Sequence, residues 1–363
     1  MIYYFTFNDQ PSGIYESQVL DTLEFLRKST SVEIRLIAFI PKANFERNKA
    51  KILQKEPEAI VLKMIFGISR WKWHLPMLKW QLRNNVEKII CRGPLATVLA
   101  MDAGIEKVIY DGRAAVKAEV EEYDVTMGNI KLGQDFIRSE KRAVLESTYR
   151  LAVSQKLVDY WKNEFAFKND SYVIIPCTLN NSWFEQSFEE IRKNHGNVKL
   201  VYSGGTGPWQ SFELVVKMLR KWLKDHENGE VLFMTRENVL IDELISEFPE
   251  RVERKFVGHE EVKKELSSCD YGILIREDRV TNQVASPVKF AEYLSAGLKI
   301  LISEGIGDYS ELTHQLNCGQ IIFNEIPRLT SVDQAENIRM KSLCSEYFRK
   351  EKYKEEYNRL IRI

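Results

Sequence analysis

The sequence has few of the residues from which covalent or metal-based chemistry is usually built: 5 cysteines and 5 histidines in 363 residues. Cys91, Cys177, Cys269, Cys318 and Cys344 are odd in number, far apart and never in a C-x-x-C pair. A disulfide framework and a zinc ribbon are therefore excluded, and a reducing compartment is expected. His74, His195, His226, His259 and His314 are scattered, with no pair at metal-ligand spacing. They read as packed or surface side chains, and no metal is expected. His259 stands nearest to chemistry, directly after Val257-Gly258 at the end of an expected strand.

An excess of charge of either sign is also missing, since Lys plus Arg and Asp plus Glu both number 52. That balance argues against a surface basic throughout and hence against a general nucleic-acid binder, so any basic site must be local. No stretch reaches the roughly 20 apolar residues of a membrane helix, and Met1-Ile-Tyr-Tyr-Phe-Thr-Phe7 carries no basic leader. A cytoplasmic protein is the expectation. Short-period repeats and low-complexity tracts are likewise missing.

What is present is ordinary globular composition, 44% apolar and 29% charged, in a chain longer than one core usually serves. Two domains follow. An apolar strand opens the chain, Pro11-Ser-Gly13 breaks it, and residues 15–28 have helical spacing. Further strands are expected at 33–40, 60–64, 88–91, 107–110 and 123–125, and a long helical stretch at 134–163. The cycle then restarts after a boundary placed near Phe167, with strands at 199–203, 230–234, 254–257 and 271–275 separated by helical stretches. Such alternation predicts two α/β, Rossmann-like, doubly wound parallel sheets. The expected domains are 1–167 and 168–344, with a charged helix over 345–363.

In open α/β sheets ligands bind beyond the carboxyl ends of strands, where glycine turns and helix N-termini present N–H groups to phosphate. Pro11–Gly13, Ser203-Gly-Gly-Thr-Gly207 and Ala285-Ser-Pro-Val-Lys289 fit that description. In the last, Ser286 suits an N-cap, Pro287 the first turn, and Lys289 adds charge where the helix dipole is positive. A diphosphate would be held there, and Glu292, three residues on, could accept the two hydroxyls of a ribose. The plain alternative is a capped surface helix whose Lys289 and Glu292 form an ion pair worth about 0.3–0.5 kcal/mol.

The run Cys269-Asp-Tyr-Gly-Ile-Leu-Ile-Arg276, followed by Ala285-Ser-Pro-Val-Lys-Phe-Ala-Glu-Tyr-Leu-Ser-Ala-Gly297, resembles the donor-binding signature of family-4-type retaining glycosyltransferases of the GT-B architecture. Val201-Tyr-Ser-Gly-Gly205, Phe256-Val-Gly-His259 and Ala152-Val-Ser154 are similar to other landmarks of that family, in the same order. The resemblance implies two Rossmann-like domains facing across a cleft. It implies Gly204 and Gly205 near the donor phosphates, Ser286 and Val288 offering backbone N–H groups beside Pro287, Lys289 neutralising the diphosphate and Glu292 on the ribose. Gly13 would border the acceptor side, where Asp111 and Arg113 form a turn, and the last helix would return to the first domain.

The implied activity is transfer of a sugar, with retention, from a nucleotide-sugar co-substrate to a saccharide or lipid-linked saccharide in surface polysaccharide or glycan biosynthesis. The leaving phosphate would take the acceptor proton, and no other cofactor and no metal would be required. The family's earlier glutamate is replaced here by Val284, and where many members carry an arginine and a lysine in and after the glycine turn this chain has Gly205, then Pro208-Trp209-Gln210. Arg276 or Arg236 would then supply the missing charge. A sugar-nucleotide 2-epimerase of the same fold, or a non-catalytic glycan- or nucleic-acid-binding relative, are the alternatives.

One local patch stands out, with Arg70, Trp71, Lys72, Trp73, Lys79, Trp80 and Arg83 and no acidic residue among them. Interleaved indoles and cations suit the inner-leaflet membrane interface, from which a lipid-linked acceptor would be reached. The alternative is that the indoles are partly core, with the cations folded around them.

Overall fold

The computed structural model describes the chain apart from Ser31, Asn84, Asn85 and 186–195, and apart from the side chain of His259. His195 therefore lies outside the described residues. Among these, the chain divides into two compact units, Met1–Thr178 together with Lys350–Ile363, and Leu179–Arg349.

The first unit holds β1 (Ile2–Phe7), β2 (Ile34–Ile40), β3 (Ile60–Lys63), β4 (Lys88–Arg92), β5 (Val108–Gly112), β6 (Tyr149–Ala152) and β7 (Tyr172–Ile174). They form one sheet in the order β3-β2-β1-β4-β5-β6-β7, and every pairing is parallel. β1 and β2 are near-continuous apolar runs because both faces of the sheet are covered. Ile2, Tyr4, Leu36 and Ala38 face one apolar cluster, and Tyr3, Phe5, Ile37 and Phe39 face the other.

The second unit repeats the plan with β8 (Val198–Ser203), β9 (Gly229–Met234), β10 (Val252–Lys255), β11 (Tyr271–Leu274), β12 (Lys299–Ser303) and β13 (Gly319–Ile322). Their order is β10-β9-β8-β11-β12-β13, again all parallel. The strand order reverses at β1/β4 in the first sheet and at β8/β11 in the second. These are the switch points at which doubly wound sheets bind ligands.

Several expectations need correction. The boundary falls after Thr178 rather than near Phe167, because β7 pairs with β6 in the first sheet. The stretch 134–163 is not one helix. Helix Ile130–Glu146 ends, β6 follows, and helix Gln155–Phe165 begins with Ser154 as its cap. Residues 123–125 form no strand, since Asp124 takes a left-handed conformation that ends helix Val116–Tyr123.

The end of the chain is two helices. Gln334–Phe348 belongs to the second unit and stops where Arg349 becomes extended and bridges to Leu179. Helix Lys354–Arg362 belongs to the first unit, where Tyr357, Leu360 and Ile361 join the cluster around Ile2, Val19 and Leu23. Burying side chains of this size stabilises by about 1.5–3 kcal/mol each. Lys350 fixes the entry, its buried Nζ donating to Ser17 O at 2.9 Å and Thr178 Oγ1 at 3.0 Å. All five cysteines are free thiols. Among the described residues no helix is long and apolar enough to cross a membrane.

Candidate donor site at the second switch point

The loops that leave β8 and β11 converge on the start of helix Val288–Ser295. β8 ends at Ser203, whose N–H donates to the Tyr293 hydroxyl at 3.0 Å. The chain then turns through Gly204 and Gly205, and the Tyr202 hydroxyl donates to Gly205 O at 2.6 Å. Gly204 has φ +118, and a Cβ there would lie 2.6 Å from Lys289 Cε. Glycine at this position thus makes room for a lysine as well as for a turn. A short 3-10 turn, Pro208–Gln210, follows, and Ser211 Oγ accepts from the N–H of Glu277, tying this loop to the one after β11.

Lys289 is 8% exposed. Its Nζ donates to Gln210 Oε1 at 3.1 Å and lies 4.3 Å from the centre of the Tyr202 ring. Arg276, at the carboxyl end of β11, is also buried. Its N–H donates to Ser303 Oγ at 2.8 Å, its Nη1 to Asn282 Oδ1 at 3.3 Å, and its Nη2 to the same Gln210 Oε1 at 3.1 Å. Burial, reinforced by the Arg276 charge, holds the Lys289 ammonium well below the usual lysine range, with Glu292 pulling the other way. Glu292 is half-buried on the same helix, and burial pushes its carboxyl up to about 7 against the pull of Lys289. Among the described residues no hydrogen bond engages that carboxyl. The exposed Lys289–Glu292 surface pair is therefore not what forms; two buried cations instead share the Gln210 carbonyl.

The cap of this helix departs from expectation. Pro287 is the N-cap, with φ −71 and ψ 118, and helix begins at Val288 with no side-chain cap. Ser286 lies one residue too early, and its hydroxyl pairs with that of Tyr309 at 2.7 Å. Arg236 is exposed and stacks over the Phe256 ring at 5.3 Å, so it is Arg276 that accompanies Lys289. Gln210, the shared acceptor, carries no motif in the sequence. Only its place beside both cations marks it.

In the first unit, Gly13 opens the short helix Gly13–Tyr15 just after β1, with Ser12 as N-cap accepting from Tyr15 N at 3.2 Å. Asp111 is fully buried. It accepts from the Tyr4 hydroxyl and pairs with Arg113, whose Nε is 2.6 Å from Oδ1, while Arg92 Nη1 lies 3.8 Å from Oδ2. This is a buried ion network at the carboxyl end of β5 rather than a simple aspartate–glycine turn, and Arg113 extends from it to Gln18 Oε1 at 3.4 Å.

The aromatic patch separates into two parts. Trp71 is core, 1% exposed, with Nε1 donating to Asp135 Oδ2 at 3.2 Å and Lys72 Nζ 5.2 Å from its ring centre. Trp73 and Trp80 are 64% and 58% exposed, next to exposed Arg70, Lys72, Lys79 and Arg83. The Arg83 guanidinium lies 4.6 Å from the Trp80 ring centre.

Two Rossmann-like parallel-sheet domains of this order define the GT-B fold of glycosyltransferases. No family model and no curated protein matches the sequence. Solved structures with the same fold include Anabaena HepE in complex with UDP and glucose, at 11% identity and TM-score 0.67 over 100% of this chain and 99% of that one. Sucrose-phosphate synthase from Thermosynechococcus elongatus matches at 12% identity and TM-score 0.73 over 99% and 98%. UDP-GlcNAc 2-epimerase from Neisseria meningitidis bound to UDP-GlcNAc matches at 12% identity and TM-score 0.53 over 99% and 94%.

Proposed function

We propose that the protein is a glycosyltransferase that moves a sugar from a nucleotide-sugar donor to a saccharide acceptor, with retention at the anomeric carbon. The observation that carries this reading is the buried Lys289 and Arg276, held together on Gln210 at the switch point of the second sheet. Departure of a nucleoside diphosphate builds negative charge on the leaving phosphate, and preorganised cations in a dry site stabilise that charge strongly. Glu292, on the same helix face as Lys289, is the group for the ribose hydroxyls. The uncapped start of helix Val288–Ser295, with the Val288 N–H, adds a further positive end. The nucleotide sugar is the co-substrate, and the reading invokes no other cofactor.

UDP is the first nucleotide to test, because both HepE and the Neisseria epimerase were solved with uridine nucleotides. Transfer is favoured over epimerisation by the higher TM-scores of HepE and sucrose-phosphate synthase. Gly13 and the Asp111–Arg113 network support an acceptor site in the first unit. Exposed Trp73 and Trp80 among cations support a lipid-linked acceptor presented at an anionic membrane surface, as in surface polysaccharide assembly.

The test is a thermal-shift screen of UDP, GDP, dTDP, ADP and CMP. A ligand at a hundred times its Kd stabilises by about 2.7 kcal/mol. One diphosphate should give a clear shift that disappears in Lys289→Ala. If none of the five shifts the wild type, the donor-site reading is wrong.

A further inference from the structure

Gln210 has no counterpart in the chemistry described so far, yet it is the hub of the cationic corner. Arg276 Nη2 and Lys289 Nζ both reach one atom of its amide, each at 3.1 Å. Both partners are pure donors, so the atom they share must be the carbonyl oxygen rather than the NH2 group. The 3-10 turn Pro208–Gln210 and the Ser211–Glu277 tie fix the backbone on either side of that carbonyl.

We infer that Gln210 is a positioning residue of the donor site: its carbonyl holds Arg276 and Lys289 side by side, and holds Lys289 as an ammonium, until the donor diphosphate takes both cations over. The inference rests on the proposal that Lys289 and Arg276 receive a diphosphate. The reason for an amide is electrostatic. A carboxylate at 210 would cancel one positive charge and compete with phosphate for the other. A neutral carbonyl accepts from both donors and cancels neither charge.

An alkyl side chain would leave the Lys289 ammonium with little to sustain it. Among the described residues, the charged and titratable groups that act on Lys289 are Arg276 after β11, which repels it, Glu292 on its own helix, which attracts it, and Tyr202 of β8, which offers only its ring face. Without the Gln210 carbonyl, Lys289 gives up its proton at lower pH in the free protein. Binding a diphosphate must then restore that proton.

The experiment is calorimetric titration of UDP, or of whichever nucleoside diphosphate shifts the wild type, into wild type, Gln210→Met, Gln210→Ala and Gln210→Glu between pH 6 and pH 9. Loss of a hydrogen bond to a charged group predicts binding about tenfold weaker for Gln210→Met and Gln210→Ala at pH 8. The gap should narrow as the pH falls, because lower pH returns the proton to Lys289 in the alkyl variants. Gln210→Glu should bind about tenfold or more weakly at all pH values, because its carboxylate stays in competition with phosphate. A purely structural role would weaken binding equally at every pH. Parallel pH curves for wild type and the alkyl variants, or wild-type affinity in Gln210→Glu, would overturn the inference and leave the donor site standing. If the wild type binds no nucleoside diphosphate, the proposed function fails and this inference fails with it.

Discussion

Gly204→Ala is the sharpest test of the packing around the proposed donor site, because one methyl group meets two constraints at once. The φ of +118 is hostile to any L side chain, and holding alanine there costs about 1–3 kcal/mol. The new Cβ would also sit 2.6 Å from Lys289 Cε and 3.0 Å from Nζ, far inside the 3.5–4.0 Å of a favourable carbon contact. Lysine must therefore swing away and give up the Gln210 bond at 3.1 Å, worth about 1.5–3 kcal/mol for a charged donor, together with its place over Tyr202.

Strain alone should lower Tm by roughly 5 °C, at about 2–4 °C per kcal/mol for a unit of this size. The clash term is isolated by a double-mutant cycle read by urea unfolding. In a Lys289→Ala background the methyl group has no lysine to displace, so Gly204→Ala should cost less there, by about 1 kcal/mol or more. Gly204→Ala in the wild-type background should also lose the UDP-induced thermal shift. An equal cost in both backgrounds, or an unchanged UDP shift, refutes the claim that Gly204 exists to admit Lys289.

Two further outcomes are expected. Trp71→Ala should destabilise by about 3–5 kcal/mol in denaturant, whereas Trp73→Ala with Trp80→Ala should change stability by only a few tenths and weaken flotation with anionic vesicles; equal flotation of the double variant would remove the membrane role of the patch. Glu140 is buried, accepts from the N–H groups of Val116 at 3.0 Å and Lys117 at 2.6 Å, and is pushed by burial up to about 8. Its folded-state value lies above the unfolded value of about 4.3, so the folded state holds more protons between the two, and stability falls as pH rises from about 4.5 to 8. Glu140→Gln should flatten that fall, with Glu119, raised to about 7, leaving a residual slope; urea unfolding at pH 5, 6.5 and 8 measures it.

The sheets were legible wherever a strand is apolar on both faces. β1, β2, β8 and β9 announce themselves because each strand carries an apolar run: Ile2–Phe5, Leu36–Ile40, Leu200–Tyr202 and Val231–Met234. β6 did not, because Arg150 sits in its middle. That arginine is buried, with Nε on Val144 O at 2.6 Å, Nη1 on Ser171 Oγ at 2.8 Å and its guanidinium 4.9 Å from the Phe167 ring centre. A charged residue held by tertiary partners looks, in one dimension, like the solvent face of a helix. The order of the strands was equally out of reach, since it depends on which crossovers pass which face.

At the proposed donor site the sequence pointed to charged and glycine residues, because charge, φ freedom and helix entry are local properties. Lys289 and Arg276 both lie between β11 and β12, and β8 lying beside β11 brings Gln210 to both of them. Gln210 could not be read. An amide after Pro-Trp means nothing until two cations are found on its oxygen. Trp71 and Trp73, two residues apart, have opposite fates for a similar reason: the turn that carries them, Ile68–His74, points one indole at the sheet and the other at water.

The return of Lys350–Ile363 to the first unit bears on how the protein is made. The ribosome releases Met1–Thr178 first, then the whole of Leu179–Arg349, and only afterwards the segment carrying Tyr357, Leu360 and Ile361. The first unit thus waits, with an apolar furrow beside Ile2, Val19 and Leu23, for the length of its neighbour's synthesis. A nascent chain that stalls within the second unit leaves that furrow open to quality control, and only a chain translated through Ile361 can close it.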